Sequence, residues 1–128
     1  MKAYTVNLEE KTIENEFYRQ VIFTGSKMQL VLMSLKSGED IPEEVHHEID
    51  QFLRIEGGQA YVKVGEDEFN LKDGDVVVIP AGNKHYVKNT SDHEDLKLYS
   101  IYATPEHAPG TIHKTQEEAD AAEAEHHH

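Results

Sequence analysis

Between Arg19 and Tyr102 the apolar residues fall in short runs, each closed by glycine, aspartate or proline. Arg19 to Phe23 reads as a first strand, and Gly25-Ser26 turns the chain. Met28 to Leu35 (MQLVLMSL) is nearly all apolar, as suits a strand of a barrel wall. Lys36 to Pro42 reads as a loop. Strands then follow closely: Gln51 to Glu56, broken by Gly57-Gly58; Gln59 to Val64, turning at Gly65-Glu66-Asp67; Glu68 to Leu71; and Val76 to Ile79, ended by Pro80. His85 to Asn89 and Leu96 to Tyr102 complete the set. Many short strands with frequent Gly/Asp turns predict an all-β barrel or sandwich.

The ends differ from this middle. Residues 1–16 are polar and carry too weak a pattern to predict an element. Pro105 and Pro109-Gly110 mark an irregular crossing segment, and Thr115 with Glu118 reads as a capping box. The Ala/Glu-rich stretch beyond predicts a short helix over Gln116 to Glu125. The organisation expected is a barrel domain over residues 1–115, with its motif core at 28–102. An acidic helix and a His-rich end follow at 116–128. His126 to His128 are native or the remnant of an affinity tag, and are set aside from the site.

Composition narrows the function classes. A length of 128 residues with no repeat or linker fits one domain. No apolar run approaches 18 residues and Met1 to Glu10 has no apolar signal region, so neither a membrane span nor secretion is expected. Cysteine is absent, which removes disulfides and thiolate chemistry and fits the cytoplasm. A net charge of −13 with no Lys/Arg cluster opposes nucleic-acid binding. The C-terminal acids Glu117, Glu118, Asp120, Glu123 and Glu125 read as a solvated helix face.

One window carries chemistry. GDVVVIPAGNKHYVKN places Gly74, Pro80, Gly82, His85 and Asn89 in the spacing G-x5-P-x-G-x2-H-x3-N. Upstream, Gly38 is followed by five residues, Glu44, one residue, His46, four residues, Gln51, six residues and Gly58. The pair resembles the two histidine motifs of the cupins, at every spacing. Glu44 stands where that family usually has its first histidine, and Gln51 where it usually has glutamate. The resemblance covers Met28 to Tyr102. It implies a cupin double-stranded β-helix (jelly-roll) barrel, a divalent metal ion at Glu44, His46, Gln51 and His85, and a homodimer paired through sheet faces, with Val21, Ile22 and Phe23 offering apolar surface.

The residues support the same site on their own terms. Alternate residues of a strand share a face, so Glu44 and His46 do so if their stretch is extended, while Gln51 and His85 begin later strands. Two imidazoles, one carboxylate and one amide oxygen carry net charge −1 and suit Mn, Fe, Ni, Co or Zn as a divalent ion. If the ion is six-coordinate, about two positions stay open for water or substrate. By the same alternation His47 and Asp50 face solvent and Tyr86 packs on the far side of His85, while Asn89 stabilises a turn. His107 and His113 bracket the Pro109-Gly110 turn, either as loop anchors or folded back to the barrel mouth. Three functions compete: a metal-dependent enzyme on a small molecule (isomerase-, dioxygenase- or decarboxylase-like), a non-catalytic small-ligand binder with an orienting metal, and a metal-free epimerase-type cupin. The intact ligand spacing opposes the third.

Overall fold

In the computed structural model, which describes residues 1–126, the alternation of the sequence becomes alternation of burial. Strand β9 (Leu96–Ala103) turns Leu96, Leu98, Ser100 and Tyr102 inward, and β4 (Asp50–Gly57) does the same with Gln51, Leu53 and Ile55. These two strands lie side by side in a six-stranded antiparallel sheet with β1 (Arg19–Thr24), β2 (Gln29–Leu35), β7 (Val76–Ile79) and β10 (Ile112–His113), in the order β10-β1-β2-β9-β4-β7. The second sheet, of order β3-β8-β5-β6, holds β3 (Asp40–Val45), β5 (Gln59–Val64), β6 (Asp67–Lys72) and β8 (Lys84–Asn89). The core lies between the sheets, built from Val31, Met33, Leu53, Val62, Val87 and Leu98 among others. This is the predicted all-β jelly roll.

Strand β2 is the exception to half-burial: every one of its residues is buried. Its outer side is covered by a helix, α1 (Leu8–Glu14), which packs on β2, β4 and β9. Residues 1–16 show only a weak pattern in the sequence, yet they contain this helix. It has only seven residues, and Thr12 is its one buried side chain, so it leaves no apolar stripe to read. Its start is set locally, by the Asn7 side chain accepting a hydrogen bond from Glu10 N at 3.0 Å.

Two expectations need correction. The stretch through Pro42 is strand, not loop, for β3 spans Asp40–Val45. Pro42 is accommodated where the β3–β8 register shifts between Ile41 and Glu44, an irregularity that tolerates a missing N–H. The crossing segment also contains a short strand, β10, paired with Arg19 and Gln20. Val21 points into the core at 6% exposure, so it offers no surface to a partner copy, and Phe23 stacks on Tyr4 at 5.2 Å.

The C-terminal helix α2 (Gln116–His126) forms as expected. The Thr115 hydroxyl accepts from Glu118 N, and the Glu118 carboxylate accepts from Lys114 N. Ala119 joins the core cluster, which docks the helix on the barrel. His127 and His128 lie outside the described residues. Gly58 shows why the first motif ends in glycine: φ is +83°, and a Cβ there would sit 2.5 Å from the Asp95 carbonyl oxygen.

Candidate metal centre

Sheet pairing brings the first two candidates together. In the β3–β8 pair Glu44 stands directly opposite His85, just past the irregularity at Pro42. His46 follows the end of β3 and is anchored by its backbone, whose carbonyl accepts from Gly82 N at 2.8 Å. Gly82 has φ +88°, so the glycine of the second motif shapes the turn that holds His46. The donor atoms of Glu44, His46 and His85 all lie within 4.8 Å of one another. Glu44 Oε1 is 3.3 Å from His46 Nε2 and 3.5 Å from His85 Nε2, and the two ring centroids are 5.1 Å apart.

Gln51 enters from the other sheet. It is buried on β4 opposite Tyr102 of β9, and its Nε2 donates to Ser100 Oγ at 2.9 Å and lies 3.4 Å from the Tyr102 hydroxyl. Tyr102 in turn meets the His46 ring edge-on, at 5.7 Å between centroids. The Gln51 amide oxygen is buried and has no hydrogen-bond partner.

The groups around the cluster orient its rings. His85 Nδ1 is 3.1 Å from the Asn83 carbonyl oxygen, which can only accept, so Nδ1 carries a hydrogen and Nε2 is the nitrogen turned to the cluster. His46 lies between two carboxylates, with Nδ1 3.4 Å from Glu106 Oε2 and Nε2 3.3 Å from Glu44 Oε1. His46 Nε2, His85 Nε2 and Gln51 Oε1 are all buried and make no hydrogen bond. Such an arrangement is costly unless a cation or a proton sits among them. The electrostatics follow. Burial alone would raise the Glu44 carboxyl, but the His46 and His85 rings that face it overcome this and hold the group far below the usual carboxylate range. Burial opposes protonation of His46, yet the facing Glu44 carboxylate and the charge of Glu106 raise its pKa above the ordinary value. The three clustered groups, two imidazoles and a carboxylate, fit a borderline divalent ion.

Other predicted placements are also visible. His47 and Asp50 are exposed, and Asp50 Oδ1 accepts from Ala81 N at 2.8 Å. Tyr86 faces away from the cluster and donates its hydroxyl to Asp40 at 2.7 Å. Asn89 is a fully used bracket: its Nδ2 donates to the Leu35 and Glu94 carbonyls and its Oδ1 accepts from Ser91 N. His107 folds back, its ring edge-on to Tyr102 at 5.5 Å, and His113 sits on β10 with Nδ1 3.2 Å from Arg19 Nη1. Burial first, and then the Arg19 charge, push His107 down to about 3.

Several site residues were not expected from the sequence. Glu106 and Arg19 join Glu44 and His46 in lining a cavity of about 410 Å³ at the barrel mouth, which α2 borders with Ala119, Asp120 and Glu123. Burial raises the Glu106 carboxyl and also raises the Tyr102 phenol, which stays protonated. Gln29, fully buried on β2, holds the loop that carries Glu106. Its Oε1 accepts from the backbone N–H of Glu106 and His107, and its Nε2 donates to the His107 carbonyl. Ser100 and Tyr102 were legible in principle, as polar members of the inward row Leu96, Leu98, Ser100, Tyr102.

Comparison with known proteins agrees with the motifs. The Cupin domain family matches residues 31–102. The uncharacterised protein YrkC of Bacillus subtilis is 45% identical over 128 residues, covering 95% of this chain and 68% of that protein. The uncharacterised protein L612 of Acanthamoeba polyphaga mimivirus is 46% identical over 114 residues, covering 87% of this chain and 71% of that protein. The crystal structure of BH2720 from Bacillus halodurans superposes with a TM-score of 0.91 at 41% identity, over 94% of this chain and 95% of that one. With its jelly-roll fold, both histidine motifs and these relatives, the chain belongs to the cupin family.

Proposed function

We propose that this cupin is a divalent-metal-dependent enzyme acting on a small molecule, with Glu44, His46, Gln51 and His85 as the ligands of one ion of the Mn, Fe, Ni, Co or Zn group. The observation that carries the reading is a cluster of buried, unpaired potential ligand atoms: His46 Nε2, His85 Nε2 and Gln51 Oε1 make no hydrogen bond, beside a carboxylate held well below its usual range. A divalent cation held by these atoms and the Glu44 carboxylate would meet all of them at once. When bound, such an ion polarises a substrate oxygen or lowers the pKa of a coordinated water.

The protein's own residues supply the rest. Glu106 orients the His46 ring through Nδ1, and the Asn83 carbonyl orients His85. Gln51 is turned by Ser100 and Tyr102 so that its oxygen, not its nitrogen, is left for the ion. The cavity of about 410 Å³ is the size of a small-molecule site and opens beside Glu44 and His46. A small metabolite fits it, and the charge of −13 disfavours a nucleic-acid partner.

The test is metal content of protein lacking residues 126–128, purified without added metal, for the parent and for His46→Ala and His47→Ala. The parent and His47→Ala should carry close to one ion per chain, and His46→Ala very little. His47 is exposed and has no route to the cluster. Equal loss in the two variants, or a parent that neither carries nor takes up a divalent ion, refutes the assignment.

A further inference from the structure

Among the described residues Arg19 is the only lysine or arginine that is buried, at 8% exposure. The alternation of β1 puts it on the same inward face as Val21. Its close contacts are with rings and not with an acid. The guanidinium lies 5.4 Å from the centre of the Tyr18 ring, and Nη1 approaches His113 Nδ1 at 3.2 Å. That contact requires His113 to accept, hence to be neutral, and burial together with Arg19 keeps its pKa low. Nε is enclosed and makes no hydrogen bond. No carboxylate of the described residues lies within ion-pairing distance of it; the nearby Glu106 has its oxygen on His46 instead. A buried guanidinium with an unused donor is costly, and proteins ordinarily match one with an anion.

Arg19 also lines the cavity that holds Glu44, His46 and Glu106. The missing anion thus has a place to enter. We propose that Arg19 is the anchor for the carboxylate of a small monocarboxylate ligand, whose other polar end reaches the Glu44–His46–His85 cluster. A planar carboxylate matches the guanidinium fork through two parallel hydrogen bonds, one of them from the idle Nε. The number of charges is limited by the acids that share the cavity, Glu43, Glu44, Glu106 and Asp120 among them. One negative charge is balanced by Arg19, whereas a dianion such as phosphate meets those acids with an unbalanced charge. The inference names the ligand class of the site read above as a metal centre, and rests on that reading only for where the ligand reacts. The anchor itself needs no metal.

The experiment follows the Arg19 Nε–H resonance of the ¹⁵N-labelled full chain, in metal-free and Zn(II)-titrated forms near neutral pH. The probes are acetate, glycolate, pyruvate and L-lactate, with lactamide as the uncharged control and inorganic phosphate as the dianion. At least one monocarboxylate should shift the Nε–H signal saturably in metal-free protein, while lactamide and phosphate do not. Arg19→Lys keeps the charge but loses the fork, and should weaken that ligand roughly tenfold or more. If the variant does not fold, the parent spectra decide alone. No saturable shift with any of the four, or an equal shift with lactamide or phosphate, overturns the proposal. Zinc uptake is read separately on the His46 and His85 ring signals. A chain that takes no zinc but binds the carboxylate at Arg19 refutes the metal reading and leaves the anchor standing, and the converse result does the opposite.

Discussion

Exchanging the carboxylate and the amide of the cluster tests the site most sharply, because Glu44→Gln and Gln51→Glu change shape little and charge by one unit each. Glu44 Oε1 faces both imidazole Nε2 atoms, at 3.3 and 3.5 Å, and is the only anion among the four proposed ligands. Glu44→Gln therefore takes the set from −1 to neutral. A unit charge about 4 Å from a dication at an effective dielectric of about 20 is worth about 8 kcal/mol, a ceiling that the retained amide oxygen lowers. The floor is a tenfold loss of affinity, about 1.4 kcal/mol. Gln51→Glu should act in the opposite direction and tighten a hard ion such as Mn(II), since the set becomes −2. The neighbours permit this change: Ser100 and Tyr102 now accept from the Gln51 amide, and their hydroxyls can rotate to donate to a carboxylate. Calorimetric titration of Mn(II) into metal-stripped protein lacking residues 126–128 measures both variants. Should Glu44→Gln bind as tightly as the parent, Glu44 is no ligand and the site shrinks to His46, His85 and Gln51.

Acid should weaken the fold through His107. Its folded pKa of about 3 lies below the ordinary 6.5, so between those values the unfolded chain binds a proton that the folded chain refuses. The stabilisation is complete above about pH 6.5 and is lost as the pH falls, by at most about 1.4 kcal/mol per pH unit. Urea unfolding at about pH 4 and about pH 7 should show a shallower pH dependence in His107→Gln, and an unchanged slope would contradict the burial argument. Gly58→Ala should destabilise by about 1–3 kcal/mol or more, because the residue needs φ +83° and its new methyl meets the Asp95 carbonyl oxygen at 2.5 Å. A thermal midpoint equal to the parent's would show that the backbone yields there.

The barrel and the motif positions were legible because both are written in local spacing. Turn glycines at Gly58, Gly74 and Gly82 sit where backbone φ is positive, and the strands between them alternate in burial as in hydropathy. What stayed hidden depends on contacts between distant segments. Strand β3 was masked by Pro42, whose missing N–H is harmless only at a register shift that the partner strand supplies. The helix α1 is too short to show a period. Arg19 reads as an ordinary polar residue at a strand edge until β10 and Tyr18 enclose it. Glu106 lies in a proline-bordered segment with no pattern, and acquires meaning only by meeting His46, sixty residues earlier in the chain.

The grip of Gln29 on that segment touches main chain alone: two amide hydrogens and one carbonyl of Glu106 and His107. The path of the loop is therefore independent of which side chains it displays. Substitutions at 106 and 107 can exchange acid for amide or imidazole beside the cluster without moving the backbone that presents them. A change at Gln29 releases both positions at once, from a strand they do not adjoin in sequence. Relatives with other residues at the mouth can thus acquire different chemistry on an unchanged mount, and a designer seeking a new reaction in this barrel would vary 106 and 107 first and leave 29 alone.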